Sequence, residues 1–110
     1  MDEDQLTLFV ERENDVYIPN MFSPNGDGVN DELIVYGGEE VEEIASFIVF
    51  DRWGNVVFNA EHFQVNDATR AWNGRFKGQK LNPGVFAYKM IVKFKDGGSD
   101  VVYGDVTLIR

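Results

Sequence analysis

The chain has 110 residues, the size of one small domain, and 44% of them are hydrophobic, so one buried core is expected. Its formal net charge of −9 argues against binding to nucleic acid, whose phosphates favour clusters of Lys and Arg. Since cysteine is absent, disulfides, Cys-ligated zinc and thiol catalysis are excluded, and no apolar run approaches the roughly 18 residues of a membrane span.

Short segments with alternating or continuous apolar residues predict strands along the first part of the chain. Residues 5–10 form the first such segment, and residues 16–18 form a second that stops at Pro19, which suits an edge strand. Residues 32–36 are β-branched and aromatic and predict a buried strand. Residues 39–43 hold too few apolar side chains for a helix, so we interpret them as a solvated connection with room for one helical turn.

A hairpin is predicted in the middle of the chain. Residues 44–51 and 56–58 are its strands, and Gly54-Asn55 supplies the turn. A short strand is expected near residues 69–72. Residues 82–84, Asn-Pro-Gly, predict a type II turn, in which Pro sets φ at the second position and Gly takes a positive φ at the third.

The clearest pattern lies near the end of the chain. Residues 85–95 alternate apolar side chains with Lys, and after a turn at residues 96–98 the chain returns over residues 100–109, with a bulge at Gly104-Asp105. Seven or eight strands separated by glycine turns, without a convincing helix, predict an all-β fold. The expected architecture is an immunoglobulin-like antiparallel β-sandwich.

The densest chemistry lies in residues 23–31, where carboxylate and amide oxygens crowd around Gly26 and Gly28. Calcium prefers such oxygens on a tightly turned loop. The spacing departs from an EF-hand, because Ser23 and Ile34 stand where Asp and Glu are expected. The predicted calcium ligands are Asn25, Asp27, the Val29 carbonyl, Asn30 and Asp31. The alternative is an ordered turn in which Asn and Asp cap backbone amides.

The chain lacks the residues of a nucleophilic catalytic set. His62 is the single histidine, and there is no cysteine to act as a nucleophile. His62 is therefore interpreted as a loop residue without a catalytic part. A sandwich of this size also leaves little room for a substrate cleft. The domain is therefore predicted not to be an enzyme. Trp53 and Trp72 each stand just before a glycine turn and are predicted to close the ends of the core. The alternative is a stacking platform for a sugar or a peptide.

Five motifs in a fixed order resemble the gliding-motility-associated C-terminal domain, the type B sorting domain of the type IX secretion system. They are Phe22-Ser-Pro-Asn-Gly-Asp-Gly-Val-Asn-Asp31, Phe50-Asp-Arg-Trp-Gly-Asn-Val-Val-Phe58, Trp72-Asn-Gly74, Asn82-Pro-Gly-Val-Phe-Ala-Tyr-Lys89 and Gly104-Asp-Val-Thr-Leu-Ile-Arg110. The resemblance covers residues 16–110, and residues 1–15 are interpreted as a linker or the end of a preceding region. Asn73 and Phe86 depart from the usual pattern, which more often has Asp and Tyr there.

The resemblance implies a sorting signal rather than a catalytic activity. Domains of this family direct an N-terminal passenger on the same chain, already in the periplasm, through the outer-membrane translocon to the cell surface or the medium. The implied partners are translocon or shuttle components. The alternative is a calcium-stabilised adhesion or carbohydrate-binding module, which can sit anywhere in a parent protein, whereas a sorting domain is expected at its end.

We predict that the final strand carries the partner surface, because it is apolar on both faces in places and chain ends are accessible to a receptor. The residues predicted for this surface are Val101, Val102, Leu108, Ile109 and Arg110. The alternative is that this strand completes the core.

Overall fold

The protein is all-β apart from one helical turn, in a computed structural model that describes residues 16–26 and 31–110. Within that part of the chain the strands are β1 (Val16–Tyr17), β2 (Met21–Phe22), β3 (Tyr36–Gly37), β4 (Val41–Phe50), β5 (Val56–Phe63), β6 (Arg75–Phe76), β7 (Gln79–Lys80), β8 (Gly84–Phe94) and β9 (Ser99–Leu108), and a 3₁₀ helix covers Ala68–Arg70. The strand predicted over residues 5–10 lies outside the described residues.

The main sheet contains five strands in the order β2-β9-β8-β4-β5. The two predicted hairpins, β4–β5 and β8–β9, are confirmed and are both antiparallel. The pair β2–β9 departs from the expected antiparallel arrangement, because Met21 and Phe22 run parallel to Thr107 and Leu108. A second layer contains the β1–β3 pair and a bridge between Leu33 and Trp72, so the β-sandwich prediction is confirmed.

The core lies between this second layer and one face of the main sheet, and Trp72 stands at its centre. Its side chain is 1% exposed, and its ring centroid lies 5.3 Å from that of Phe22 and 5.2 Å from that of Phe86. The indole Nε1 donates a hydrogen bond of 3.1 Å to the carbonyl of Arg75, which satisfies the single polar atom of the buried ring. The prediction that Trp72 is a core aromatic is confirmed.

Strand β4 begins earlier than predicted. Val41, Ile44 and Phe47 are all buried although they are three residues apart, because the register shifts between positions 41 and 43 and again between 44 and 46. Each irregularity inserts a residue and returns the next apolar side chain to the core face. Residues 41–43 therefore belong to the strand, and their interpretation as a connection is wrong.

The segment predicted as a strand at residues 69–72 forms the 3₁₀ turn instead, and only Trp72 makes a β-bridge. Asp67 caps this turn, since its Oδ1 accepts hydrogen bonds from the Thr69 amide at 3.0 Å and the Thr69 hydroxyl at 2.6 Å. These bonds hold the pKa of Asp67 below its usual value. An Asp two residues before a Thr is a capping pattern, and it prevails here over strand propensity.

Two glycines differ from their predicted roles. Gly84 begins β8 without a positive φ, so residues 82–84 do not form the predicted type II turn. At Gly104 the β8–β9 register runs on without a shift, so the predicted bulge is absent. Gly104 pairs with Tyr88, and a Cβ added at position 104 would lie 2.6 Å from Cζ of that ring. A glycine is needed there because the Tyr88 ring crosses the neighbouring strand.

We expect Gly104→Ala to destabilise the domain by about 1–3 kcal/mol, because the new methyl group forces the Tyr88 ring out of place. Urea denaturation of the wild type and the variant measures the difference. In a Tyr88→Ala background the same glycine substitution should cost much less, because the clashing ring is gone. Equal costs in the two backgrounds would contradict this account of Gly104.

Candidate functional site

The acidic loop after β2 is a turn whose two described ends meet. The Oδ1 atom of Asp31 accepts hydrogen bonds from the amides of Asn25 at 3.2 Å and Gly26 at 3.0 Å, and Gly26 has φ of 82°. The structure therefore brings together Asn25 and Asp31 from the predicted calcium set. The other three members, at positions 27, 29 and 30, lie outside the described residues.

The described part of this loop fits a capped turn, since one oxygen of Asp31 is already used on backbone amides. Within residues 16–26 and 31–110, no three His, Cys, Asp or Glu side chains are grouped so that they could hold a metal ion. A calcium site here would therefore depend on oxygens from positions 27, 29 and 30. The calcium ligand set stays a prediction from the sequence.

We expect millimolar calcium to raise the melting temperature of the wild type relative to chelator, and to raise that of Asp27→Ala less. The stabilisation is about 1.4 kcal/mol when calcium stands tenfold above its dissociation constant, which extracellular sites commonly place at about 10⁻⁴–10⁻³ M. Thermal melts with calcium and with chelator measure the effect. A wild-type midpoint that ignores calcium would leave the loop as a turn held by its own hydrogen bonds.

The residues predicted for the partner surface divide between the two faces of β9. Val101 is 52% exposed and Ile109 is also exposed, whereas Val102 is half-buried against the core and Leu108 is 1% exposed. Alternate residues of a strand point to opposite faces, so these four cannot form one surface. Leu108 packs in the core and its side chain is not available to a partner on the folded domain. Sequence reasoning missed Tyr103, which is 71% exposed beside Val101.

Arg110 is exposed but tied to the end of the sandwich. Its Nε donates to the Leu81 carbonyl at 2.8 Å and its Nη2 donates to the Gly74 carbonyl at 2.9 Å. These bonds join the end of the chain to the segment that follows Trp72. Arg110 therefore holds that segment in place. The sequence pattern did not indicate this structural role.

Among residues 16–26 and 31–110, no strand pairs with part of one edge of β9. Its neighbour β2 is hydrogen-bonded there only near residues 107–109, through the amides of Thr107 and Ile109. Because backbone groups alternate in direction along a strand, the N–H groups of residues 101, 103 and 105 point to this same side. No described strand pairs with them. An unpaired edge of this kind is a template for strand addition.

An open groove of about 490 Å³ lies beside this part of β9, between β1 and the β8–β9 hairpin. Apolar side chains from both layers line it, including Val16, Ile18, Met90 and Val92, and Asp100 is its carboxylate. The groove is apolar on its floor and acidic at one end. An extended segment placed on the β9 edge would lie next to it.

Trp53 lies outside the core, on the turn between β4 and β5. Its side chain is 78% exposed, so the prediction that it closes the core is wrong. Asp51 holds the turn: its Oδ1 accepts from the amides of Trp53 and Asn55, both at 2.9 Å, and its Oδ2 accepts from Nδ2 of Asn55 at 3.2 Å. Burial opposes ionisation of this carboxyl, but these hydrogen bonds and the Arg52 charge outweigh it and lower its pKa.

His62 offers no catalytic partner among the described residues. It lies in β5 rather than in a loop, with φ of 55°, and its exposed ring has Nδ1 3.3 Å from Oε2 of Glu43. Lys93 approaches the same carboxylate at 3.8 Å. This is a surface charge cluster on the sheet and contains no nucleophile.

Comparison with known proteins finds a family match and similar solved structures. The family model described as the CHU_C type IX secretion signal domain matches residues 16–108. Among solved structures, CopC from Methylosinus trichosporium OB3b is similar, with a TM-score of 0.54 and 16% identity over 84% of this chain and 92% of that chain. At that identity the likeness shows the fold alone. No curated protein matches the chain, and no helix among the described residues is long and apolar enough to cross a membrane.

Proposed function

Because this chain belongs to the type IX secretion signal domain family, we propose that it is a sorting domain, which directs a passenger on the same chain through the outer-membrane translocon. The family match over residues 16–108 carries this proposal. In the proposed pathway the passenger is first in the periplasm, where translocon or shuttle components bind the folded domain. The passenger is then exported to the cell surface or the medium. The domain works by being bound and needs no chemistry of its own.

The surface that we propose for this recognition lies on β9. Val101 and Tyr103 are exposed, and the N–H groups at positions 101, 103 and 105 face an edge that no described strand covers. A receptor segment that adds as a further strand would gain main-chain hydrogen bonds and would place its side chains against the adjoining groove. Val102 and Leu108 support this surface from the core side.

Export of a fusion tests the sorting role. Residues 16–110 fused to the C-terminus of a periplasmic reporter, in a host that carries the translocon, should move the reporter to the cell surface or the medium. The matched control is the reporter alone. A fusion that folds and stays in the periplasm would overturn the proposal, whereas a calcium-dependent attachment to cells without export would favour the adhesion alternative.

A proline at position 103 tests strand addition. Tyr103→Pro removes an outward N–H from the β9 edge, and proline is tolerated at edge positions, so the fold should be kept while export of the fusion falls about tenfold. Tyr103→Ala removes only the ring and should lower export less. Secretion assays with thermal melts of each variant measure both effects.

Val102→Pro is the contrasting control, because the N–H at position 102 points towards β8 and its loss should unfold the sheet. Deletion of residues 107–110 would be uninformative by comparison, because it removes the core residue Leu108 and the pairing with β2. Wild-type export of a folded Tyr103→Pro fusion would exclude the β9 edge as the recognition surface.

A further inference from the structure

The turn that carries Trp53 has a surface that the proposed recognition by β9 does not use. A shallow pocket of about 220 Å³ lies between this turn and the segment that enters β8, and Trp53, Arg52, Pro83 and Val85 are among its lining residues. Trp53 and Val85 are both exposed. A large aromatic ring left in water next to further apolar surface is typical of binding sites.

Hydrogen bonds hold the turn that carries the exposed ring in one conformation. The three hydrogen bonds to the Asp51 carboxylate fix the turn, and Gly54 takes φ of 85°, which allows its tight geometry. The guanidinium carbon of Arg52 lies 5.8 Å from the centroid of the Trp53 ring, a distance that gives a cation–π contact. Since the turn is fixed before binding, a partner would lose little backbone entropy in ordering it.

The charges around the pocket indicate the sign of the charge that a partner would carry. Among the described residues, Asp51 is the single carboxylate that lines it, and its oxygens are already engaged by the turn. Arg110 is bonded to the carbonyl of Leu81, another lining residue, which brings a second guanidinium to this end of the domain. The β6–β7 hairpin, which leads into Leu81, carries Arg75, Lys77 and Lys80 and no acid, in a chain of net charge −9. This end therefore favours an acidic partner.

We propose that the Trp53 turn is a second docking site, which binds an acidic protein segment with one apolar side chain on Trp53, Pro83 and Val85 and a carboxylate on Arg52. Arginine pairs with carboxylates through parallel hydrogen bonds, and tryptophan and arginine are the residues most enriched at binding hot spots. The Trp53 site is distinct from the β9 edge, because Trp53 belongs to the β4–β5 turn and the edge lies beyond β8.

Selection from a displayed library of random 12-residue peptides tests the site. The whole 110-residue chain as bait should enrich peptides with Asp or Glu around an aromatic or aliphatic residue. The same selection with Trp53→Ala and with Arg52→Glu should lose that class, and Tyr17→Ala, which removes another exposed aromatic ring, should keep it. Thermal melts should show that Trp53→Ala is folded as the wild type is, because the side chain is largely in water.

The enriched peptide is then titrated against the domain while Trp53 fluorescence is recorded. Trp72 is buried, so a blue shift of the emission that is lost in Trp53→Phe reports on the exposed ring. We expect Trp53→Ala and Arg52→Glu each to weaken binding tenfold or more. No enrichment, enrichment of basic peptides, or a shift with soluble oligosaccharide but with no peptide would each overturn the proposal.

Export measured with the Trp53→Ala fusion separates this site from the sorting role. Loss of export together with loss of peptide binding would place the Trp53 site in the secretion pathway. Normal export with loss of peptide binding would support a docking site that serves another contact, and the sorting role would stand. Failure of the wild-type fusion to be exported would count against the sorting role alone.

Discussion

The packing of Trp72 is the interaction on which the rest of the structure depends. Its ring joins Phe22 of β2 to Phe86 of β8, and its backbone bridges to Leu33 in the second layer. One side chain therefore joins the edge of the main sheet, its middle and the opposite layer. The bond from its Nε1 to the Arg75 carbonyl also fixes the start of β6–β7, from which the basic end of the domain is built.

Four of the 19 acidic side chains are used in local structure. Asp31, Asp51, Asp67 and Asp96 each accept hydrogen bonds from backbone amides of the turn in which they stand. A carboxylate that caps a turn stabilises one loop conformation and has less capacity to attract a cation or a basic partner. The net charge alone therefore does not identify the partner: in the part of the chain described, the proposed sites are a strand edge with outward backbone N–H groups and the turn that carries Trp53 beside Arg52.

The sequence predicted the elements whose side chains alternate without interruption. In β8, for example, Phe86, Met90, Val92 and Phe94 face the core. It failed where a bulge changes the period, as in β4, and where a carboxylate cap outweighs strand propensity, as at Asp67. It also could not distinguish Trp53 from Trp72, since both precede a glycine turn. Whether such a ring is buried depends on which strands lie above it, and that is decided by contacts distant in sequence.

The position of β9 has a consequence for incomplete chains. Although it is the last strand, it lies inside the sheet, between β2 and β8, and it supplies the buried side chains of Val106 and Leu108. A polypeptide that stops before residue 99 leaves β2 without a partner and β8 paired with β4 alone, and it exposes the core. If export requires the folded domain, a prematurely terminated passenger lacks a functional sorting signal. Under the proposed sorting role, a chain that ends before β9 would then be excluded from export.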